Sequence, residues 1–179
     1  MEENSECKIP KLEQLLTREE IKKSENINKI TDKVYLGDEE GAKDIEYLKN
    51  ENIHNIISVV QVPPKFPDDY NINLMHVNLE DCLNINIIKY LKDCVNFIER
   101  SDKVYIHCTC GVNRSAAIAI GYLMWKTHSN YNDAFNYVKQ KRNCIELNNI
   151  FIMQLNKFHT LLKNSNYDLD KIDFNNKKK

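Results

Sequence analysis

From His107 to Ala116 the chain reads HCTCGVNRSA: a histidine, two cysteines one residue apart, a glycine, an arginine and a serine in one short stretch. Three chemistries use such residues. Histidine and thiolate groups bind zinc. Neighbouring thiols exchange with disulfides. A single thiolate beside an arginine can attack an electrophile whose negative charge the guanidinium holds. Each demands a different backbone, so the surrounding elements decide among them.

Those elements alternate. KVYLG (33–37) reads as a short strand, AKDIEYLKNE (42–51) as a helix, and IHNIISVV (53–60), β-branched and apolar on both faces, as a buried strand. VPPKFPDD (62–69) holds three of the four prolines and reads as a surface loop. INLMHVNL (72–79) is a further strand, INIIKYLKDCVNFIER (85–100) an amphipathic helix, and KVYIHC (103–108) a short apolar strand. Three helical segments follow, over 114–128, 132–142 and 150–162. The pattern predicts an α/β fold: one domain, with a central, mostly parallel sheet flanked by helices. Residues 1–26 read as an N-terminal extension with a helix carrying Ile9, Leu12 and Leu16 on one face. Residues 27–164 form the domain, and 165–179 a polar tail expected to fray.

HCTCGVNRS lies between a buried strand and a helix, where open α/β sheets place their ligands. Such a loop turns its backbone N–H groups inward, and the positive end of the helix dipole points the same way. Gly111 permits a positive φ or a close backbone approach. The amides of Thr109, Cys110, Gly111, Val112, Asn113 and Arg114 can then cradle a tetrahedral dianion, and the Arg114 fork bonds two of its oxygens. Cys108 sits at the bottom as nucleophile, since cysteines at helix N-termini beside cations ionise more readily than free thiols. Ser115 can cap the helix and bond the sulfur. His107 is expected to orient the loop and support it electrostatically. A leaving oxygen needs a proton, and the end of the strand over 72–79 offers Asp81 as the acid, with Glu80 in reserve.

With these residues placed, the stretch resembles the HCxxGxxR signature, followed by Ser or Thr, of the cysteine-based protein phosphatases. The segment order is similar to their compact dual-specificity branch from about Ile27 to Leu162. VNLEDCLNINI resembles that branch's general-acid loop, with Asp81 at the acid position. GYLM, NDAFNYVKQKR and the pattern of Asn148, Phe151, Gln154 and Leu155 complete the likeness. The resemblance implies metal-independent hydrolysis of phosphotyrosine and phosphoserine or phosphothreonine in proteins, through a phosphocysteine and without a cofactor. Cys108, Arg114, Asp81 and Ser115 would be the catalytic residues. The chain departs from the usual pattern at Cys110, where a small residue is common, at Asn113, where Ser is common, and at Asn143 and Leu147, where Pro often precedes the last helix.

Four other readings fit these residues less well. A zinc site needs a complete ligand set, and no C-x2-C pair or H-x3-H partner set accompanies His107, Cys108 and Cys110. A non-catalytic phosphate-binding module usually lacks the nucleophile. An RNA 5′-triphosphatase would share the cradle, and Thr109 and Asn113 fit that version, but the helix opens RSAA. Phosphoinositide phosphatases usually carry lysines in the cradle, and this one has none. For Cys110 the simplest expectation is a small buried side chain. The sharper one is that Cys110 or Cys82 captures an oxidised Cys108 as a disulfide.

The totals agree with a local anion site. Lys and Arg number 25 against 26 acidic residues, so neither nucleic acid nor a membrane is indicated as partner; the partners expected are phosphorylated proteins. No stretch is long enough to span a bilayer and the start lacks the order of a secretory signal. Six cysteines in such a chain suggest reduced thiols and the cytoplasm, with the nucleus as a second compartment.

Overall fold

A computed structural model describes residues 26–79 and 85–174. The expected N-terminal helix, the acid-loop residues Glu80, Asp81 and Cys82, and residues 175–179 lie outside the described residues.

Five strands form one sheet in the order β1-β2-β5-β3-β4, from β1 (Ile27–Lys29), β2 (Val34–Gly37), β3 (Asn55–Ser58), β4 (Asn73–His76) and β5 (Val104–His107). The pairs β2–β5, β5–β3 and β3–β4 are parallel, and β1 alone runs antiparallel, against β2. The mostly parallel sheet is therefore the one the alternation predicted. β1 was not read from the sequence, because three residues carry no periodicity.

Alternation along the central strands feeds two cores. Val34, Leu36, Ile57, Val104 and Ile106 point into the larger one, which they share with α3 (Ile88–Arg100), α4 (Arg114–Thr127), α5 (Tyr131–Lys141) and α6 (Asn149–Asn164). Tyr35, Ile56 and Tyr105 point the other way and are covered by Ala42 of α1 (Glu39–Lys43) and Leu48 of α2 (Ile45–Asn50). Burial on both faces explains why the central strands carry apolar residues at consecutive positions, Ile56 and Ile57 in β3 and Val104 to Ile106 in β5.

Two elements differ from the sequence reading. The helix expected over 42–51 is two short helices, α1 and α2, that meet at Asp44. There ψ is 73°, outside the helical range, and the carboxylate accepts from the Tyr47 amide at 3.0 Å, so a capping side chain interrupts the helix. The expected fraying tail is instead packed through Phe174. Leu169 and Ile172 are only 7% and 8% exposed, Phe174 tilts against Phe158, and the Trp125 indole donates to the Tyr167 carbonyl at 3.0 Å. Three apolar residues spaced through a polar stretch suffice to dock it.

β5 lies at the centre of the sheet, and its C-terminal end delivers His107 and Cys108 to the loop that opens α4. The site rests on a strand buried along its whole length.

Candidate active site

Residues 108–113 connect β5 to α4. Gly111 has φ +64°, the left-handed region that costs a side-chain-bearing residue about 1–2 kcal/mol. A Cβ there would also come within 2.5 Å of the Gly37 backbone, so glycine is required by space as well as by conformation. The loop is fastened from outside at four points. The Glu39 amide donates to the Thr109 carbonyl (3.3 Å), and the Glu146 amide donates to the Val112 carbonyl (3.0 Å). Arg142 Nε donates to the Gly111 carbonyl (2.9 Å), and the Asn148 amide donates to Asn113 Oδ1 (3.1 Å). Three loop carbonyls are thereby turned outward.

Asn113 precedes α4, and its side chain, engaged with Asn148, gives the helix no cap; nor does the first turn of α4 carry an acidic residue. An anion placed inside the loop meets the positive end of α4 with no carboxylate in that turn competing for it.

Cys108 is buried at the base of the loop, 2% exposed. Ser115, in the first turn of α4, donates its hydroxyl to Cys108 Sγ at 3.2 Å and lies 3.5 Å from the Gly37 carbonyl. The Arg114 side chain is buried, donating from Nη1 to the Leu79 carbonyl (3.1 Å) and from Nη2 to Thr109 Oγ1 (3.1 Å). The first of these bonds reaches Leu79, the last described residue before Glu80 and Asp81, the acids expected from the sequence. Asp81, chosen as the acid from sequence, lies outside the described residues, as does Glu80. A cavity of about 320 Å³ opens over the loop, lined by Glu39, Val60, Gln61, Val62, Thr109 and Arg114. A larger one, about 510 Å³, between α6 and the C-terminal segment is lined by no cysteine, histidine or arginine.

His107 is fully buried, stacked on Tyr105 with ring centroids 5.6 Å apart, and its carbonyl accepts from the Val59 amide at 2.8 Å. Neither ring nitrogen has a hydrogen-bond partner among the described residues. Burial pushes its pKa down to about 4, against a smaller opposing effect of the Cys108 backbone. The ring is neutral at pH 7 and holds the strand end in place.

Cys110 is exposed, which corrects the expectation of a small buried side chain: at this position the loop turns outward ahead of Gly111. Cys94, Cys108, Cys110 and Cys144, the four cysteines among the described residues, are free thiols. No group of three or more His, Cys, Asp or Glu among the described residues is placed to hold a metal ion.

Sequence reasoning missed Arg142. It is 3% exposed, donates to Asn28 Oδ1 at 2.7 Å as well as to Gly111, and lies 3.7 Å from the Asp38 carboxylate. An arginine closing a helix reads as a solvated end, and nothing local signals that this one turns inward.

A buried thiol bonded by a hydroxyl, and a buried arginine bonded to Thr109 of the same loop, lie between the central parallel strand and a helix, an arrangement suited to binding an anion beside a nucleophile. The comparisons with known proteins agree with it. The model of the dual specificity phosphatase catalytic domain matches residues 34–160, and the chain belongs to that family. It is 36% identical over 132 residues to MAP kinase phosphatase with leucine-rich repeats protein 1 of Dictyostelium discoideum, covering 72% of this chain and 16% of the relative. It is 37% identical over 153 residues to the Amsacta moorei entomopoxvirus protein AMV078, named for a tyrosine-protein phosphatase, covering 79% of this chain and 90% of the viral one. The crystal structure of human tyrosine phosphatase-like serine/threonine/tyrosine-interacting protein superposes with a TM-score of 0.74 at 28% identity, over 78% of this chain and 99% of that one. The chain spans about a sixth of the leucine-rich-repeat relative's length.

Proposed function

We propose that this chain is a dual-specificity protein phosphatase that hydrolyses phosphotyrosine and phosphoserine or phosphothreonine through a phosphocysteine. The observation that carries the reading is the Ser115 hydroxyl donating to Cys108 Sγ at 3.2 Å, in a loop that also holds a buried Arg114, in a member of the dual specificity phosphatase family.

In the first step Cys108 Sγ attacks phosphorus in line. The P–O bond to the substrate breaks, and Asp81 gives its proton to the departing oxygen. Arg114 and the loop amides hold the three equatorial oxygens while charge builds on them. In the second step the Asp81 carboxylate takes a proton from water as its oxygen attacks phosphorus. The P–S bond breaks and inorganic phosphate leaves. The sulfur departs as thiolate, and the Ser115 hydroxyl is in position to stabilise it. Neither step calls for a metal or a cofactor.

One wall of the cavity is the loop after β3, held by His76 Nε2 paired with the Val60 carbonyl at 2.8 Å. In a chain of 179 residues there is little room for the additional loops that would restrict entry to phosphotyrosine alone. We place the activity in signalling in the cytoplasm and nucleus, a reading the exposed thiols of Cys110 and Cys144 support. No helix among the described residues is long and apolar enough to cross a membrane.

The test is phosphate release, with chelator present, from a phosphotyrosine peptide, a phosphothreonine peptide, a triphosphate-ended RNA and a phosphoinositide, each repeated with Cys108→Ser. Release from both peptides that disappears in the variant supports the proposal. Release from RNA or lipid alone contradicts it, and so does binding of peptide without turnover.

A further inference from the structure

The phosphate cavity has an acidic rim. Among the six described residues that line it, Glu39 carries the one negative charge and Arg114 the one positive charge, and Arg114 is committed to the phosphate itself in the proposed reaction. Glu39 is fixed there by its own backbone, whose amide donates to the Thr109 carbonyl at 3.3 Å, so the residue cannot drift from the loop without breaking that bond. Its carboxylate is incompletely neutralised. Lys43 is shared, lying 3.4 Å from Glu39 and 2.8 Å from Glu40, and one ammonium between two carboxylates leaves one negative charge. Asp38, the preceding residue, is drawn to the buried Arg142 and adds no cation to the rim.

We propose that Glu39 is a specificity-determining residue that directs the site toward singly phosphorylated segments with Lys or Arg beside the phosphoresidue and against segments carrying a second phosphate there. The inference rests on the protein-phosphatase reading and adds the substrate class. A phosphoresidue seated on Arg114 must bring its chain neighbours across the rim. A basic neighbour then meets an unbalanced carboxylate, whereas a second phosphate brings about two further negative charges to it. Glu39 is about a third exposed, so its pull is that of a solvent-screened pair: about two- to fivefold in kcat/KM for one flanking charge. It should fade in 1 M salt, where the screening length falls to about 3 Å.

The experiment measures kcat/KM on peptides that differ only beside the phosphoresidue, as Lys, Ala, Glu or a second phosphoresidue. Wild type, Glu39→Gln and Glu39→Lys are compared, with a small aryl phosphate as a substrate that has no flanking residues. The readout is the ratio of Lys peptide to Glu peptide within each enzyme, so a change in overall activity cancels. The expected ratio is about four to twenty-five in wild type, since the two peptides differ by two charges, close to one in Glu39→Gln and inverted in Glu39→Lys, with the doubly phosphorylated peptide poorest in wild type and recovering in both variants. An unchanged ratio across the three enzymes overturns the role of Glu39 and leaves the phosphatase reading standing. Turnover of the aryl phosphate with none of the peptides hydrolysed overturns the protein-phosphatase reading, and this inference with it.

Discussion

Arg142 donates from Nε to the carbonyl of Gly111, at 2.9 Å, from the far side of the phosphate loop. The contact matters because Gly111 is the residue at which the loop reverses, with φ +64°. Turning that carbonyl outward helps keep the neighbouring amides aimed inward. The same guanidinium reaches Asn28 beside β2 and the Asp38 carboxylate, so the outer rim of the sheet and the loop are clamped by one side chain.

Replacing Arg142 with Met should therefore do two things. It removes the charged partner of the half-buried Asp38, which keeps the Gly41 amide, and the donor to a loop carbonyl, and breaking a buried charged contact costs about 3 kcal/mol or more. It should also weaken competitive inhibition by inorganic phosphate at least tenfold at a temperature where the variant is folded. Arg142→Lys keeps the charge without the fork and should recover only part of the phosphate affinity. Full phosphate affinity in a folded Arg142→Met would show that the clamp is structural only.

Ser115→Ala should slow the second chemical step more than the first, because the hydroxyl bonds the sulfur that must leave. A hydrogen bond to a charged partner is worth about 1.5–3 kcal/mol, so kcat should fall by about ten- to a hundredfold. With KM falling alongside, kcat/KM should change little, and an aryl phosphate should show a burst of alcohol product. Loss of kcat/KM with no burst would place the effect of Ser115 before the phosphocysteine instead.

Asp81→Asn tests the acid assigned from the sequence. General acid catalysis contributes roughly 10²–10⁴-fold, and more where the leaving group is poor. The loss should be greater for a phosphoserine peptide than for an aryl phosphate with an acidic leaving group, while Glu80→Gln should cost little. Equal losses for both substrates, or a larger loss at Glu80, would move the role from Asp81.

His107 makes stability depend on pH. Its pKa is pushed down by burial to about 4 from an ordinary value of 6.5. Between those values the unfolded chain binds a proton that the folded one excludes, so stability falls as pH drops through this window and is fully present above it. The difference amounts to about 3 kcal/mol between pH 7 and pH 4. His107→Asn, with no titrating ring, should show a shallower decline in urea-unfolding free energy from pH 7 to pH 5 than wild type. Parallel declines would exclude His107 as the source.

How much of this was legible in the sequence follows the range of the interactions. The order of residues from His107 to Ser115 and the β-branched runs of β3 and β5 are local signals, and they placed the loop between the central strand and α4. Arg142, Asn28 and Asp38 lie far from the loop along the chain, and only the fold brings them to it. The break at Asp44 was missed because the apolar spacing of Ala42, Ile45 and Leu48 continues across it. The docking of Leu169 and Ile172 was missed because polar neighbours mask a few apolar residues that have no period.

The most direct test of the central claim is to quench the wild-type enzyme in acid during turnover and identify the phosphorylated peptide by mass spectrometry, with Ser115→Ala used to enrich the intermediate. One phosphoryl group is expected on Cys108, absent from Cys108→Ser. Phosphate release with Cys108 unmodified throughout, or a phosphoryl group carried by another residue, would contradict it.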